Sequence, residues 1–172
     1  MRLDNVITFT VFGIPQTKGS AKGFVVPNRF RPDKYRAIIT NDNAKNRPWS
    51  QTVSAMAQQY RPQDGLWSGP VKVTLIFRMP IPKSLPKRKP AFMTKRPDID
   101  KCTRSCLDSL KSVVYADDSQ VVGLEVFKVY HPQPGVIVRV EQIDLNYEGA
   151  VSYAYRPYES PSQPHKENQL YG

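Results

Sequence analysis

Apolar positions along the chain fall into a few periodic runs. Val6 to Ile14 is rich in β-branched and aromatic residues and closes at Gly13 and Pro15, which predicts a strand. Phe24–Val26 and Tyr35–Thr40 predict a hairpin with Asn28-Arg29-Phe30-Arg31 at its tip. From Trp49 the apolar positions Trp49, Val53, Met56, Ala57 and Tyr60 recur at helical spacing, with Pro48 suited to the first turn and Pro62 and Gly65 ending the run. Val71 to Met79 sets Val71, Val73, Leu75, Phe77 and Met79 against Lys72, Thr74, Ile76 and Arg78, the alternation of a half-buried strand. A loop too rich in proline to be helix or central strand follows, "MPIPKSLPKRKPAFMTKRP".

A second helix is predicted from Ile99 to Val114. Its apolar face is Ile99, Cys102, Cys106, Leu110 and Val113, opposite Lys101, Arg104, Asp108 and Lys111. Val121–Tyr130 and Val136–Ile143 read as two strands joined across the turn His131-Pro132-Gln133-Pro134-Gly135. Beyond Leu145 the aliphatic content falls away into Tyr, Pro, Ser and Gln, the composition of a tail poorly ordered on its own. Strands and helices are mixed and several connections are short, so the expected class is α+β: a mixed sheet of about four to six strands packed with two main helices.

Composition changes this picture in one respect. A chain of 172 residues with 40% apolar content can build a core, but its net charge of +10 points to a polyanionic partner, nucleic acid before anionic membrane. No apolar run approaches a membrane span and the N-terminus has no signal-peptide core, so a cytoplasmic location is expected. Cys102 and Cys106 are expected to be reduced and half-buried, since two thiolates alone do not close a zinc site. "PQTKGSAKGF" has Lys18 before Gly19 and so lacks the order of a P-loop. His131 and His165 receive no role.

The acids are the informative minority. Of fifteen, four form two tight pairs, Asp98 with Asp100 and Asp117 with Asp118, at either end of the second helix. Helix capping and turn chemistry account for both pairs taken singly. A helix of about sixteen residues is roughly 24 Å long, so the pairs meet only if the chain returns beside it. If they converge, three carboxylates make a hard oxygen site suited to magnesium or manganese, and the surrounding cations would hold a nucleic-acid backbone. Those cations are Lys18, Lys22, Lys83, Lys87, Arg88, Lys89, Lys95 and Arg96. Phe92 would either wedge between bases or pack the loop onto the body.

"KRPDIDKCTRSCLDSL" followed by "YADDSQVV" resembles the RusA family of Holliday junction resolvases, common in phages and prophages. "VFGIPQTKG", "RMPIPKSLPKRK" and "VFKVYHPQPGVIVRV" are similar to the family's first strand and turn, basic loop and closing strands, so the resemblance spans roughly residues 5 to 144. It implies a nuclease domain over 1–144 with residues 145–172 as a separate tail. It further implies a homodimeric endonuclease, dependent on magnesium with manganese able to substitute and using no organic cofactor. Such an enzyme would cut opposed strands of a four-way DNA junction, encoded by a phage or prophage in a bacterial host. The family's metal-binding acids carry over onto Asp98, Asp100 and Asp118, with Asp117 beside them. Two positions depart from the pattern. Lys101 stands where the family has Asn, and Arg104 where it has a catalytic Lys. Arg104 and Lys101 are the cationic catalytic candidates. Arginine stabilises phosphate charge but exchanges no proton at neutral pH. Lys101 would take part of that lost role, although on a helix it points about 100° away from Asp100. The alternative is a weakly active or inactive junction-binding accessory of phage recombination or packaging; a basic RNA-associated protein fits the charge but not the acids.

Overall fold

The structure, a computed structural model, describes residues 5–19, 21–41, 43–84, 92–143 and 149–150. Its elements in order are β1 (Val6–Phe12), β2 (Ala21–Asn28), β3 (Arg31–Asn41), α1 (Asn46–Gln59), β4 (Val71–Met79), α2 (Ile99–Leu110), a short 3-10 turn (Asp118–Gln120), β5 (Val121–Tyr130) and β6 (Gly135–Gln142). A four-stranded mixed sheet has the order β1-β6-β4-β5, and β2 and β3 form a separate two-stranded ribbon. This is the α+β class the pattern predicts.

The alternation of β4 is complete: Val71, Val73, Leu75, Phe77 and Met79 are all buried and the residues between them half-buried. β4 is the central strand, antiparallel to β6 and parallel to β5. A parallel neighbour requires a crossover, and the basic loop with α2 supplies it. The last two strands are therefore joined across the His131–Gly135 turn without pairing to each other, because β4 lies between them. β6 begins at Gly135, where a Cβ would sit 2.2 Å from the Val11 carbonyl oxygen; only glycine allows β1 to approach so closely. β1 stops at Phe12, two residues before the predicted end, where Gly13 turns with φ +129°.

α1 packs on β1 and on α2, with Trp49, Val53 and Ala57 buried. α2 is shorter than its apolar pattern suggests. It ends at Leu110, and Val113, Val114 and Tyr115 continue the core from a turn. Its buried side also carries three residues that the apolar pattern passes over, Thr103, Ser105 and Ser109. They are small, so the helices come close, and each hydroxyl is satisfied. Ser105 donates to Asn46 Oδ1 at 2.6 Å, Ser109 Oγ to the Ser105 carbonyl at 2.7 Å, and Ser54 donates to the Ser109 carbonyl at 2.6 Å. Cys102 and Cys106 are fully buried free thiols rather than half-buried ones.

Candidate active site

α2 holds one pair of acids at its start, and the turn after it holds the other. Asp98 occupies the N-cap position with extended backbone (φ −68°, ψ 137°), yet its side chain makes no capping hydrogen bond. Its carboxylate is exposed and faces Lys101 Nζ at 3.4 Å. Asp100 follows in the first turn, also exposed. Both line an open groove with Lys95, Arg96, Phe127 and Lys128. Lys128 comes from β5 and donates to the carbonyls of Lys95 (2.7 Å) and Pro97 (2.5 Å), which ties the loop backbone in front of Asp98 to the sheet. The groove thus mixes two carboxylates with three cations.

The second pair is divided between two tasks. Asp117 caps the 3-10 turn: its Oδ1 accepts the Ser119 N–H at 3.0 Å, and Gln120 Oε1 accepts the Asp117 N–H at 2.9 Å. Gln120 Nε2 then donates to the carbonyls of Trp67 and Gly69, fixing the turn to the loop before β4. Asp117 Oδ2 pairs with Lys111 Nζ at 2.5 Å. Lys111 and the Ser119 donors hold the Asp117 carboxyl down at about 2. Asp117 thus holds the turn and pairs with Lys111.

Asp118 differs on each count. It is half-buried, and its Oδ1 is buried with no hydrogen-bond partner. Burial raises its pKa, as does the Asp108 carboxylate nearby, while Lys111 and Lys18 pull against them. Asp108 itself is ion-paired to Lys18 Nζ. The Lys18 N–H donates to the Lys101 carbonyl at 3.0 Å, so Lys18 joins the α2 backbone near Asp100 and reaches along the helix to Asp108. Asp100, Arg104 and Asp108 are spaced four apart on α2, an exposed stripe of acid, cation, acid.

The chemistry of the donors suits a hard divalent cation. All are carboxylate oxygens, and the orphaned Asp118 Oδ1 is an acceptor that a cation would satisfy. Among the described residues, no three His, Cys, Asp or Glu side chains are grouped so as to hold one ion. The thiols contribute no ligand: burial pushes Cys102 up to about 11 and Cys106 higher still, so both stay protonated.

Of the expected DNA-binding cations, Lys83, Lys95 and Arg96 are exposed, while Lys18 is engaged with Asp108. The side chains of Lys22, Lys87, Arg88 and Lys89 lie outside the described residues. Arg104 is exposed on α2, and Lys101 pairs with Asp98. Phe92 is exposed and bridges through its backbone to Val129. Sequence reasoning missed Asp108 beside Asp118 and Lys128 beside Asp98. The first had a signal, since Asp108 lies eight residues after Asp100 and so returns to the same helix face; the second depends on β5 lying next to β4.

The family model described as endodeoxyribonuclease RusA matches residues 25–141, a span that includes both acid pairs. An uncharacterized protein of Bacillus subtilis (strain 168), YqaN, is 31% identical over 146 residues, covering 80% of this chain and 96% of that protein.

Proposed function

The chain belongs to the RusA endodeoxyribonuclease family, and from that premise we propose that it is a magnesium-dependent nuclease that resolves four-way DNA junctions by paired hydrolysis of opposed strands. Manganese substitutes for magnesium in this reading. The observation that carries it is Asp118: a half-buried carboxylate with an orphaned oxygen, at the position the family pattern gives to a metal ligand. In this reading Asp98, Asp100 and Asp118 are the ligands. Within one protomer they are not grouped about one point, so ion binding has to draw the two acid pairs together or use an acid of a partner protomer. Asp117 keeps the turn that presents Asp118.

A bound divalent ion supplies an activated water and stabilises charge on the leaving oxygen. The chain's own residues do the rest. Asp100 and Asp98 stand exposed in a groove whose Lys95, Arg96 and Lys128 attract a phosphodiester that the acids alone would repel. Arg104, between Asp100 and Asp108, is placed by its spacing to bind a phosphate oxygen through its guanidinium. Lys101 and Lys18 neutralise Asp98 and Asp108 while no phosphate is present. A homodimer fits the substrate, because a two-fold axis in the protein matches that of a four-way junction. The protein acts in the cytoplasm of a bacterial host, encoded by a phage or prophage; among the described residues no helix is long and apolar enough to cross a membrane.

A synthetic four-way junction tests this directly. Wild type cuts it with magnesium, and Asp100→Asn binds it without cutting. An Asp100→Asn variant that cuts at the wild-type rate contradicts the metal assignment. Arg104 in place of the expected lysine favours one second reading, a junction-binding protein with little catalysis. Binding without nicking in either magnesium or manganese would select it.

A further inference from the structure

The ribbon of β2 and β3 has no place in the nuclease core. It shares no hydrogen-bonded pairing with the four-stranded sheet, and among the described residues no helix or other strand packs broadly against it. Both of its faces are largely exposed, and its tip residue Phe30 is 90% exposed. An isolated two-stranded hairpin is marginal in water, so a ribbon this bare needs anchoring and gains from a partner.

The anchoring is visible at its root. Asn43, just after β3, donates to the Thr17 carbonyl at 2.9 Å and to Thr17 Oγ1 at 3.2 Å, which closes the base of the ribbon. The next residue, Lys18, holds the α2 backbone at Lys101 and the Asp108 carboxylate. The ribbon therefore springs from the helix that carries the candidate site. Its tip is set as well: Asn28 Oδ1 accepts the Phe30 N–H at 2.9 Å, beside a bulge at Pro27/Asn28.

Its charge indicates the partner. Residues 21–41 hold five cations, Lys22, Arg29, Arg31, Lys34 and Arg36, against the single acid Asp33. Arg29 and Arg31 flank Phe30. Arg36 pairs in register with Val26 and shares its face with Phe24 and Ile38, Lys34 lies in the unpaired stretch just before Tyr35, and Tyr35 and Val25 stand on the other face. None of the four described cations has an ion-pair partner among the described residues. Eight residues of strand reach about 26 Å, longer than a DNA duplex is wide, and a two-stranded ribbon fits a major groove about 12 Å across.

We propose that the β2–β3 ribbon is a DNA-binding arm that lies along a duplex arm of the substrate, with Lys34 and Arg36 on its phosphates and Phe30 with its two arginines at the far contact. The inference rests on the nuclease reading for the identity of the substrate, but its chemistry requires only duplex DNA. The root fixed to α2 then couples where the arm grips to where Asp100 and Asp118 stand.

The test uses the full chain carrying Arg29→Ala, Arg31→Ala and Arg36→Ala together, without divalent metal, on linear duplex and on a four-way junction. Thermal unfolding at the wild-type temperature checks the fold. Removal of three phosphate contacts is expected to weaken both complexes at least tenfold and to reduce the slope of log affinity against log salt by about 2–3. Unchanged affinity and slope on both DNAs overturn the arm. A wild type that binds duplex and junction equally, and loses both through the triple variant, leaves the arm standing and removes the junction reading. A photocrosslinker in place of Phe30 gives an independent readout: crosslinks to DNA are expected, and crosslinks to a second copy of the chain instead overturn the proposal.

Discussion

The two acid pairs flanking α2 look alike in sequence and behave differently in the fold. Asp98 sits where aspartates cap helices but caps nothing, and Asp100 stands beside it in an open cationic groove. Asp117 caps a turn and binds Lys111, whereas its neighbour Asp118 keeps a buried oxygen without a partner. A carboxylate whose oxygens are all answered by the protein has a structural reason to be there. One whose oxygens are left open, especially at some cost in desolvation, needs another reason. By that criterion Asp118 is the acid set apart, and in the proposed reading it works with Asp98 and Asp100 while Asp117 supports its turn.

The largest expected break in the comparison separates the two neighbours. Asp118→Asn is expected to lower metal-dependent junction cleavage by about a thousandfold or more, and Asp117→Asn by no more than about tenfold, read as single-turnover rates. Thermal unfolding should rank them the other way. Asp117→Asn keeps an oxygen that can accept the Ser119 N–H but loses the ion pair to Lys111, and should melt about one to two degrees lower. The Asp117 carboxyl is held below its unfolded value of about 4, so its stabilisation is present above that pH. The deficit of the variant should therefore shrink as pH falls from about 4 to 2.

Asp118 carries the opposite sign. Its pKa is raised in the folded, metal-free protein, so ionising it works against the fold as pH rises through the carboxylate range. Without metal, Asp118→Asn should melt at or above wild type at neutral pH and fall to parity in acid. Magnesium should raise the melting temperature of wild type and leave that of the variant unmoved. A lower melting temperature for the metal-free variant at neutral pH would count against the orphaned-oxygen account.

The smallest effects belong to the other end. Asp98→Asn should leave the melting temperature within about one degree, because no cap is lost. Lys101→Ala removes only an exposed pair at 3.4 Å and should change stability by at most about 0.5 kcal/mol. A large loss of stability in either variant would mean that Asp98 has a structural task after all.

Much of this was legible from residue pattern. The alternation of β4 and the spacing of α1 are direct readings of period 2 and period 3.6, and the hairpin followed from Asn28 and its flanks. What sequence could not give were neighbours set by topology. β4 inserted between β5 and β6 because a parallel crossover through α2 carries β5 to the far side. The buried serines of α2 read as polar surface until α1 is seen packed against them, with Asn46 and Ser54 completing their hydrogen bonds. At the site, the acids and their cations were visible as types. Which aspartate was answered by Gln120, Ser119 and Lys111, and which was left open, depended on a turn whose geometry no spacing encodes.

The central claim is that Asp100 at the start of α2 and Asp118 beyond its end both take part in binding a metal ion, although no three acids of the described residues are grouped about one point in the protomer. Direct metal binding tests it. Calorimetric titration of manganese into the metal-free protein should give one site per protomer, and both Asp100→Asn and Asp118→Asn should abolish it. A variant of either residue that keeps the full wild-type site would contradict the account.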